Sequence, residues 1–273
     1  MPPRVQSPSA GAGLKVKIAS PSNFDHKAAS VINSFNTWAF KRDQPTEPEL
    51  LAQTVAARIA ADLPLSFVLY WGKGPRSRIA PPDIACLDYL AEMGKRIKAV
   101  HPPGALFHLC QTDTHARLNG HSEAAITSYF ADITRAARER GMRTELLSTL
   151  VENLKNSGDT VPDNDDNSQD DAAMIASLEK SAQRWYRGDG DASQGARTYL
   201  AMNRIESRAV AHNHRGAIFV TFNGRRYRDL FPANMPVFFM YSLKRGTAVK
   251  PWFMDAGGQA YPDASAAQAA GAA

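Results

Sequence analysis

"LSFVLYWGKGPRSRIAPPD", residues 65–83, decides the fold. Its first six residues, Leu65 to Tyr70, are an apolar run bounded by Pro64 and Gly72. A run that short and that uniformly apolar reads as a strand buried on both faces, the kind found in parallel sheets. The chain then breaks into a Gly72-Lys73-Gly74 turn with Arg76 and Arg78. Pro81 and Pro82 follow and can open a helix.

The pattern repeats downstream. Ile84, Leu87, Leu90, Ala91, Ile97 and Val100 give a helical stripe that "HPPG" (101–104) ends. "ALFHLCQ" (105–111) reads as a second strand, followed by a polar loop "TDTHARLNGH" (112–121). Ser122 then caps a helix carrying Ile126, Tyr129, Phe130 and Ile133, which stops at Arg140-Gly141. Thr144-Glu145 is expected to open a further helix through Leu154. Strand and helix alternating at this spacing predict βαβ units and an α/β, Rossmann-like sheet with flanking helices.

Upstream, Thr46 is the expected cap of a helix beginning at Glu47, with Leu50, Leu51, Val55 and Ile59 at helical spacing. With "NSFNTWAF" (33–40) this gives a helical, aromatic N-terminal lid over 21–62. Residues 1–20 and 259–273 are Ala-, Gly- and Ser-rich and are expected to be tails. The domain between, 63–258, carries an acidic loop at 156–171. That loop imitates a calcium-binding start at Asp163, Asp165 and Asn167. It lacks the glycine and the final acid such a loop requires, since Ser168 and Met174 stand there. A helix is predicted over 172–185. The last third is β-rich ("GAIFVTFNG", "PVFFMYSL", "KPWFMD") and is expected to complete the sheet with antiparallel strands.

Composition narrows the class. Of 273 residues 44% are hydrophobic, and no apolar run approaches the roughly 20 residues that span a bilayer. No membrane partner is expected, and the cytoplasm is the expected compartment. The net charge of +5 comes from 32 basic residues interspersed with 27 acidic ones, which does not indicate nucleic-acid binding. Cys86 and Cys110 have no metal-ligand spacing and read as buried free thiols. Nothing in the sequence fixes an oligomeric state.

Ligands of open α/β sheets bind beyond the carboxyl ends of the strands. The residues after the two strands are therefore the candidates. Tyr70 and Trp71 offer aromatic faces for a cation or an adenine, while Gly72, Lys73, Gly74 and Arg76 suit a carboxylate. The Gly-Lys-Gly turn matches neither the dinucleotide nor the phosphate-loop motif. Asp113, His115 and Asn119 supply polar groups after the second strand, and no metal set is expected among them. Ser207, with Arg204 and Glu206, is placed near the start of a strand. Trp185-Tyr186 ends a helix beside "RGDGDASQG" and can close over a ligand. The absence of G-x-S-x-G argues against hydrolases of that type.

The strand, the Lys-bearing loop, "PPD", the helix, "PPGA", the second strand, the Asp loop and a late "PWF" together resemble the isonitrile synthase superfamily, from about Ser34 to Asp255. That resemblance implies a Rossmann-like fold and conversion of an amino-acid amine to an isonitrile with ribulose 5-phosphate. The family's Phe-Pro-x-Lys-x-Pro-Asn, Ser-Asp-Gly and Arg-Leu-Ser-Ile-His segments are here "YWGKGPRS", "TDTHARLNG" and "MPVFFMYSL". The overall pattern is also similar to the azetidine-2-carboxylate synthases, methyltransferase-like enzymes that cyclise S-adenosylmethionine. The main expectation follows that second resemblance: intramolecular cyclisation of S-adenosylmethionine, as substrate and without a metal, releasing methylthioadenosine. Tyr70, Trp71, Phe40 and Tyr186 would cage the sulfonium, Asp113 and Asn119 orient the amine, and Lys73 or Arg76 hold the carboxylate. Isonitrile synthesis is the alternative, and a non-catalytic ligand-binding protein a further one.

Overall fold

The computed structural model describes residues 23–37, 44–72, 79–158, 168–222, 225–240, 242–244 and 247–249. Both predicted tails, Phe40, Lys73, Gly74, Arg76, most of the acidic loop and "KPWFMD" lie outside them.

Strand β1 is Leu65–Trp71, β2 Ala105–Gln111, β3 Arg143–Leu146, β4 Ile218–Thr221 and β5 Val237–Phe239. They form one sheet in the order β3-β2-β1-β4-β5, with every pairing parallel. This is the α/β, Rossmann-type arrangement, and its order reverses direction between β1 and β4. β1 is buried on both faces, as its apolar run predicted.

Helices α1 (Asn23–Phe35), α2 (Pro48–Ala60), α3 (Pro81–Val100), α4 (Asp113–Leu118), α5 (Glu123–Arg138), α6 (Leu147–Asn156), α7 (Ser168–Trp185) and α8 (Ala192–Asn213) surround the sheet. Side chains alternate across β1 because successive strand residues point to opposite faces. Leu65, Phe67, Leu69 and Trp71 join a core with residues of α1, α2, α3 and α5. Val68 and Tyr70 face a second core with residues of α6, α8 and β5. Phe35 of α1 is fully buried, edge-on to Phe67 and Phe238 at 5.3 Å each. Cys86 and Cys110 are both buried.

Several local expectations are corrected. Glu47, not Thr46, is the N-cap of α2; the Thr46 hydroxyl donates to the Glu47 carboxylate instead. Thr144 and Glu145 are in β3, and the helix begins at Leu147. Residues 113–118 of the expected polar loop are the short helix α4. Ser122 does cap α5, its Oγ accepting from the Ala125 amide at 3.3 Å, and Gly141 beyond the helix takes φ +72°. Arg204, Glu206 and Ser207 lie inside α8, not near a strand start. β4 and β5 are parallel to β1, because α8 and a 3-10 turn over Arg225–Leu230 serve as crossovers. Antiparallel pairing occurs only between β6 (Ser242–Lys244) and β7 (Thr247–Val249), among the described residues. No described helix is long and apolar enough to cross a membrane.

Candidate active site

A cavity of about 630 Å³ opens at the carboxyl ends of β1 and β4, where the strand order reverses. That volume lies within the usual range for small-molecule sites. β1 contributes Tyr70, and Gly72 follows it. β4 contributes Phe219 to Thr221, the segment after β2 contributes Thr112, and the 3-10 turn contributes Arg225 and Tyr227. Helices α7 and α8 form the outer wall, with Leu178, Trp185, Tyr199 and Asn203. None of the described residues of 21–62 lines the cavity, and the outer wall, among the described residues, is that of α7 and α8.

At the cavity wall, His115 is joined by folding to a buried carboxylate behind it. Glu206 is almost wholly buried in α8, and its Oε2 lies 2.8 Å from Nε2 of His115 on α4. The hydroxyl of Thr114 donates to Oε1 at 2.5 Å. Both carboxylate oxygens are thereby engaged, which fixes the carboxylate that orients the imidazole. A proton on Nε2, held by Glu206, leaves Nδ1 of His115 as the basic nitrogen. Tyr199 stacks on the His115 ring with centroids 5.8 Å apart, and its hydroxyl donates to Oδ1 of Asn119. Among the described residues no third His, Cys, Asp or Glu joins His115 and Glu206 closely enough to share a metal.

Aromatic rings make up much of the opposite side. Tyr70 meets Phe219 edge-on at 5.0 Å and Tyr227 at 6.4 Å. Burial above all, and the nearby charge of Glu206, hold the Tyr70 and Tyr227 phenols above their usual range. Both are neutral donors at physiological pH. The Tyr70 hydroxyl is buried and makes no hydrogen bond to the protein. A buried hydroxyl without a partner is costly; here it borders the cavity and is suited to a bound polar atom.

The other residues singled out in the sequence separate into two groups. Tyr70, Gly72, His115 and Asn119 line the cavity. Trp71 does not: it is buried on the other face of β1, its Nε1 donating to the Tyr129 hydroxyl at 3.2 Å. Asp113 is likewise turned away. Its Oδ1 accepts from the Ser148 amide at 3.0 Å and its Oδ2 from Arg117 at 2.6 Å. Burial raises its pKa, but these hydrogen bonds and the Arg117 charge more than reverse that and hold it below the ordinary value. The Ser207 hydroxyl lies within hydrogen-bond distance of the Leu230 and Arg204 carbonyls and, by donating to Leu230, ties the 3-10 turn to α8. Tyr186 stands behind the wall, edge-on to Tyr199 at 5.8 Å, with its hydroxyl donating to the Asp189 carbonyl. A Cβ on Gly195 would approach the Tyr186 ring to 2.7 Å, so the close seat of that ring depends on glycine.

The sequence reading names Glu206 only beside Arg204 and Ser207, and does not select Tyr199, Asn203 or Tyr227. Their spacing carries a usable signal: positions 199, 203 and 206 share one face of a helix, the face that here meets α4 and the cavity.

No family model matches the chain, and no curated protein does. Among solved structures it is similar to the crystal structure of the PvcA protein from Pseudomonas aeruginosa, with a TM-score of 0.58 and 16% identity. The likeness covers 83% of this chain and 87% of that one. At that identity the similarity is one of fold, and it extends over nearly the whole of both proteins.

Proposed function

We propose that the protein is a small-molecule biosynthetic enzyme of the isonitrile synthase type, acting on the amine of an amino acid with ribulose 5-phosphate as the carbon donor. The observation that carries this reading is the His115–Glu206 pair facing a cavity at the reversal point of the sheet. The resemblance of the layout from Ser34 to Asp255 to the isonitrile synthases supports it, and so does the fold likeness to PvcA. The likeness favours this reading over S-adenosylmethionine cyclisation.

An ammonium group cannot attack a carbonyl. Nδ1 of His115 takes one of its protons, and the resulting imidazolium is stabilised by Glu206 across the ring. The free amine then adds to the ketone carbon of the sugar phosphate, and water leaves as the C=N bond forms. Tyr70, Thr112 and Thr221 supply hydroxyls to the polar atoms of the substrates, and Arg225 supplies positive charge for a carboxylate or phosphate. Aromatic rings on the opposite side suit an aromatic amino-acid side chain.

Cyclisation of S-adenosylmethionine is a second reading, favoured by one feature: Tyr70, Trp185, Tyr199 and Tyr227 put several ring faces around one cavity, the setting that stabilises a sulfonium. It too needs a neutral amine, which His115 would provide. The purified protein is incubated with an aromatic amino acid and ribulose 5-phosphate, and separately with S-adenosylmethionine alone, and products are read by mass spectrometry. An isonitrile in the first mixture supports the proposal. Methylthioadenosine with a four-membered amino acid in the second replaces it with the cyclase. Binding without turnover in either identifies a non-catalytic protein.

A further inference from the structure

A second group of ionisable side chains lies on the same face of the sheet as Tyr70, but none of its members lines the cavity. β2 and β3 run side by side with His108 opposite Arg143 and Cys110 opposite Glu145. His108 and Glu145 therefore project from one face of the sheet, diagonal neighbours on adjacent strands. α8 ends against that face, and its C-cap residue is His214.

The three side chains converge. Nε2 of His214 is 2.8 Å from Oε1 of Glu145, and Nδ1 of His108 is 3.8 Å from the same oxygen. The imidazole centroids are 4.8 Å apart. One ligand atom from each residue lies within 4.8 Å of the others. The His214 side chain is only 8% exposed, and Glu145 is the partner of its Nε2. Two imidazole nitrogens, from β2 and from the end of α8, thus face one carboxylate oxygen of β3.

We propose that His108, Glu145 and His214 form a divalent transition-metal site that takes Zn²⁺. Two imidazole nitrogens and one carboxylate oxygen are a recurrent three-ligand set for zinc, with water completing a tetrahedron. Ligand atoms around such an ion sit about 3.3 Å apart, given bond lengths of about 2.0–2.2 Å. The His214–Glu145 spacing opens to that by about 0.5 Å and the wider spacings close by up to about 1.5 Å, movements that the partly exposed Glu145 and His108 can make. Arg58 and Arg143 lie near enough to His108 to act on its charge. Arg58 is directed to the Gly216 carbonyl at 3.3–3.4 Å, and Arg143 is exposed. Their charge weakens cation binding, so micromolar rather than picomolar affinity is expected. An ion here would join β2, β3 and the end of α8, and would stabilise the folded chain by mass action.

The test uses the full-length protein stripped with a chelator and titrated with Zn²⁺ alone by calorimetry. Co²⁺ absorption then reads the coordination. The expected result is one Zn²⁺ per chain, four-coordinate Co²⁺ bands and a higher unfolding temperature with metal. His108→Ala and His214→Ala are each expected to weaken binding more than tenfold, with His26→Ala, on the exposed surface of α1, unchanged. Glu145→Gln keeps the side-chain volume and carries the test if an alanine variant does not fold by circular dichroism. Absence of stoichiometric binding, or affinity that survives all three site substitutions, overturns the proposal.

Discussion

His115 and Glu206 are 91 residues apart in the chain and 2.8 Å apart at the cavity, the imidazole on α4 and the carboxylate buried in α8. This is the arrangement of a base and its orienting acid. Glu206→Gln keeps the volume but can no longer stabilise an imidazolium. It is expected to lower turnover by about 10²–10⁴-fold and to shift the acidic limb of the rate–pH profile. His115→Ala should cost a similar factor, and the double variant little more, because the two act as one unit. A role in folding alone would leave the rate–pH profile of Glu206→Gln unmoved. Steady-state rates across pH, with circular dichroism of each variant, distinguish the two.

Trp71 separates packing from binding. Its indole N–H donates to Tyr129, whose hydroxyl donates to Asp83 Oδ1 at 3.1 Å, and Asp83 accepts from the Ala80 amide at the start of α3. Trp71→Phe removes the first donor of this buried chain. A loss of about 1–3 kcal/mol in unfolding free energy is expected, with ligand affinity unchanged within twofold. Urea denaturation and a binding titration on the same sample read both. A tenfold loss of affinity at unchanged stability would return Trp71 to the site.

Tyr70 and Trp71 also show what was legible in the sequence. The strand, its burial and the position of the site at its end follow from "LSFVLY" and the glycine after it. Both aromatics are candidates by their place at the end of the strand, yet adjacency in a strand puts them on opposite faces. α8 was harder for a different reason. Asn203, Glu206 and Ser207 occupy buried positions on its inner face. These polar residues interrupt the apolar stripe that marks a helix. The side chains that give the helix its chemistry hide its periodicity. The short connection between β4 and β5 suggests antiparallel strands, but a 3-10 turn is long enough for a parallel crossover.

Tyr70→Phe tests whether the buried hydroxyl serves a ligand. It makes no hydrogen bond to the protein, so removing it is expected to leave stability unchanged or slightly higher. Affinity for a substrate that accepts from it should fall about tenfold, which corresponds to roughly 1.4 kcal/mol. Thermal unfolding without ligand, paired with calorimetric titration, gives both values. A destabilised variant with full affinity would assign the hydroxyl to the core instead.

Gly195 is expected to control the outer wall indirectly. Its missing side chain lets Tyr186 lie against α8 and brace Tyr199, which stacks on His115. Gly195→Ala pushes a methyl into the Tyr186 ring. Helix propensity favours alanine by about 1 kcal/mol, so the net stability change is expected to be small. The rate should fall severalfold through a displaced Tyr199. The additional substitution Tyr186→Leu, which removes the clash, should not restore that rate, because the brace is then missing.

Asp113 gives the protein an acid-sensitive joint between α4 and α6. Its carboxylate accepts from the Ser148 amide and from Arg117, and its folded pKa is depressed below the ordinary value of 3.8. A depressed carboxylate pKa means the unfolded chain binds the proton more readily. The stabilisation is therefore fully present above about pH 4, and is lost as pH falls through the folded pKa. Asp113→Asn keeps the shape and removes the charge. It should lower unfolding free energy at pH 7 by about 1–3 kcal/mol, and the gap to the native protein should narrow below pH 4 as the native carboxylate protonates. Chemical denaturation at pH 7, 4 and 3 measures that gap. A gap that stays constant across the three values would show that the charge of Asp113 does not hold α4 in place, and His115 would then owe its position to Glu206 and Tyr199 alone.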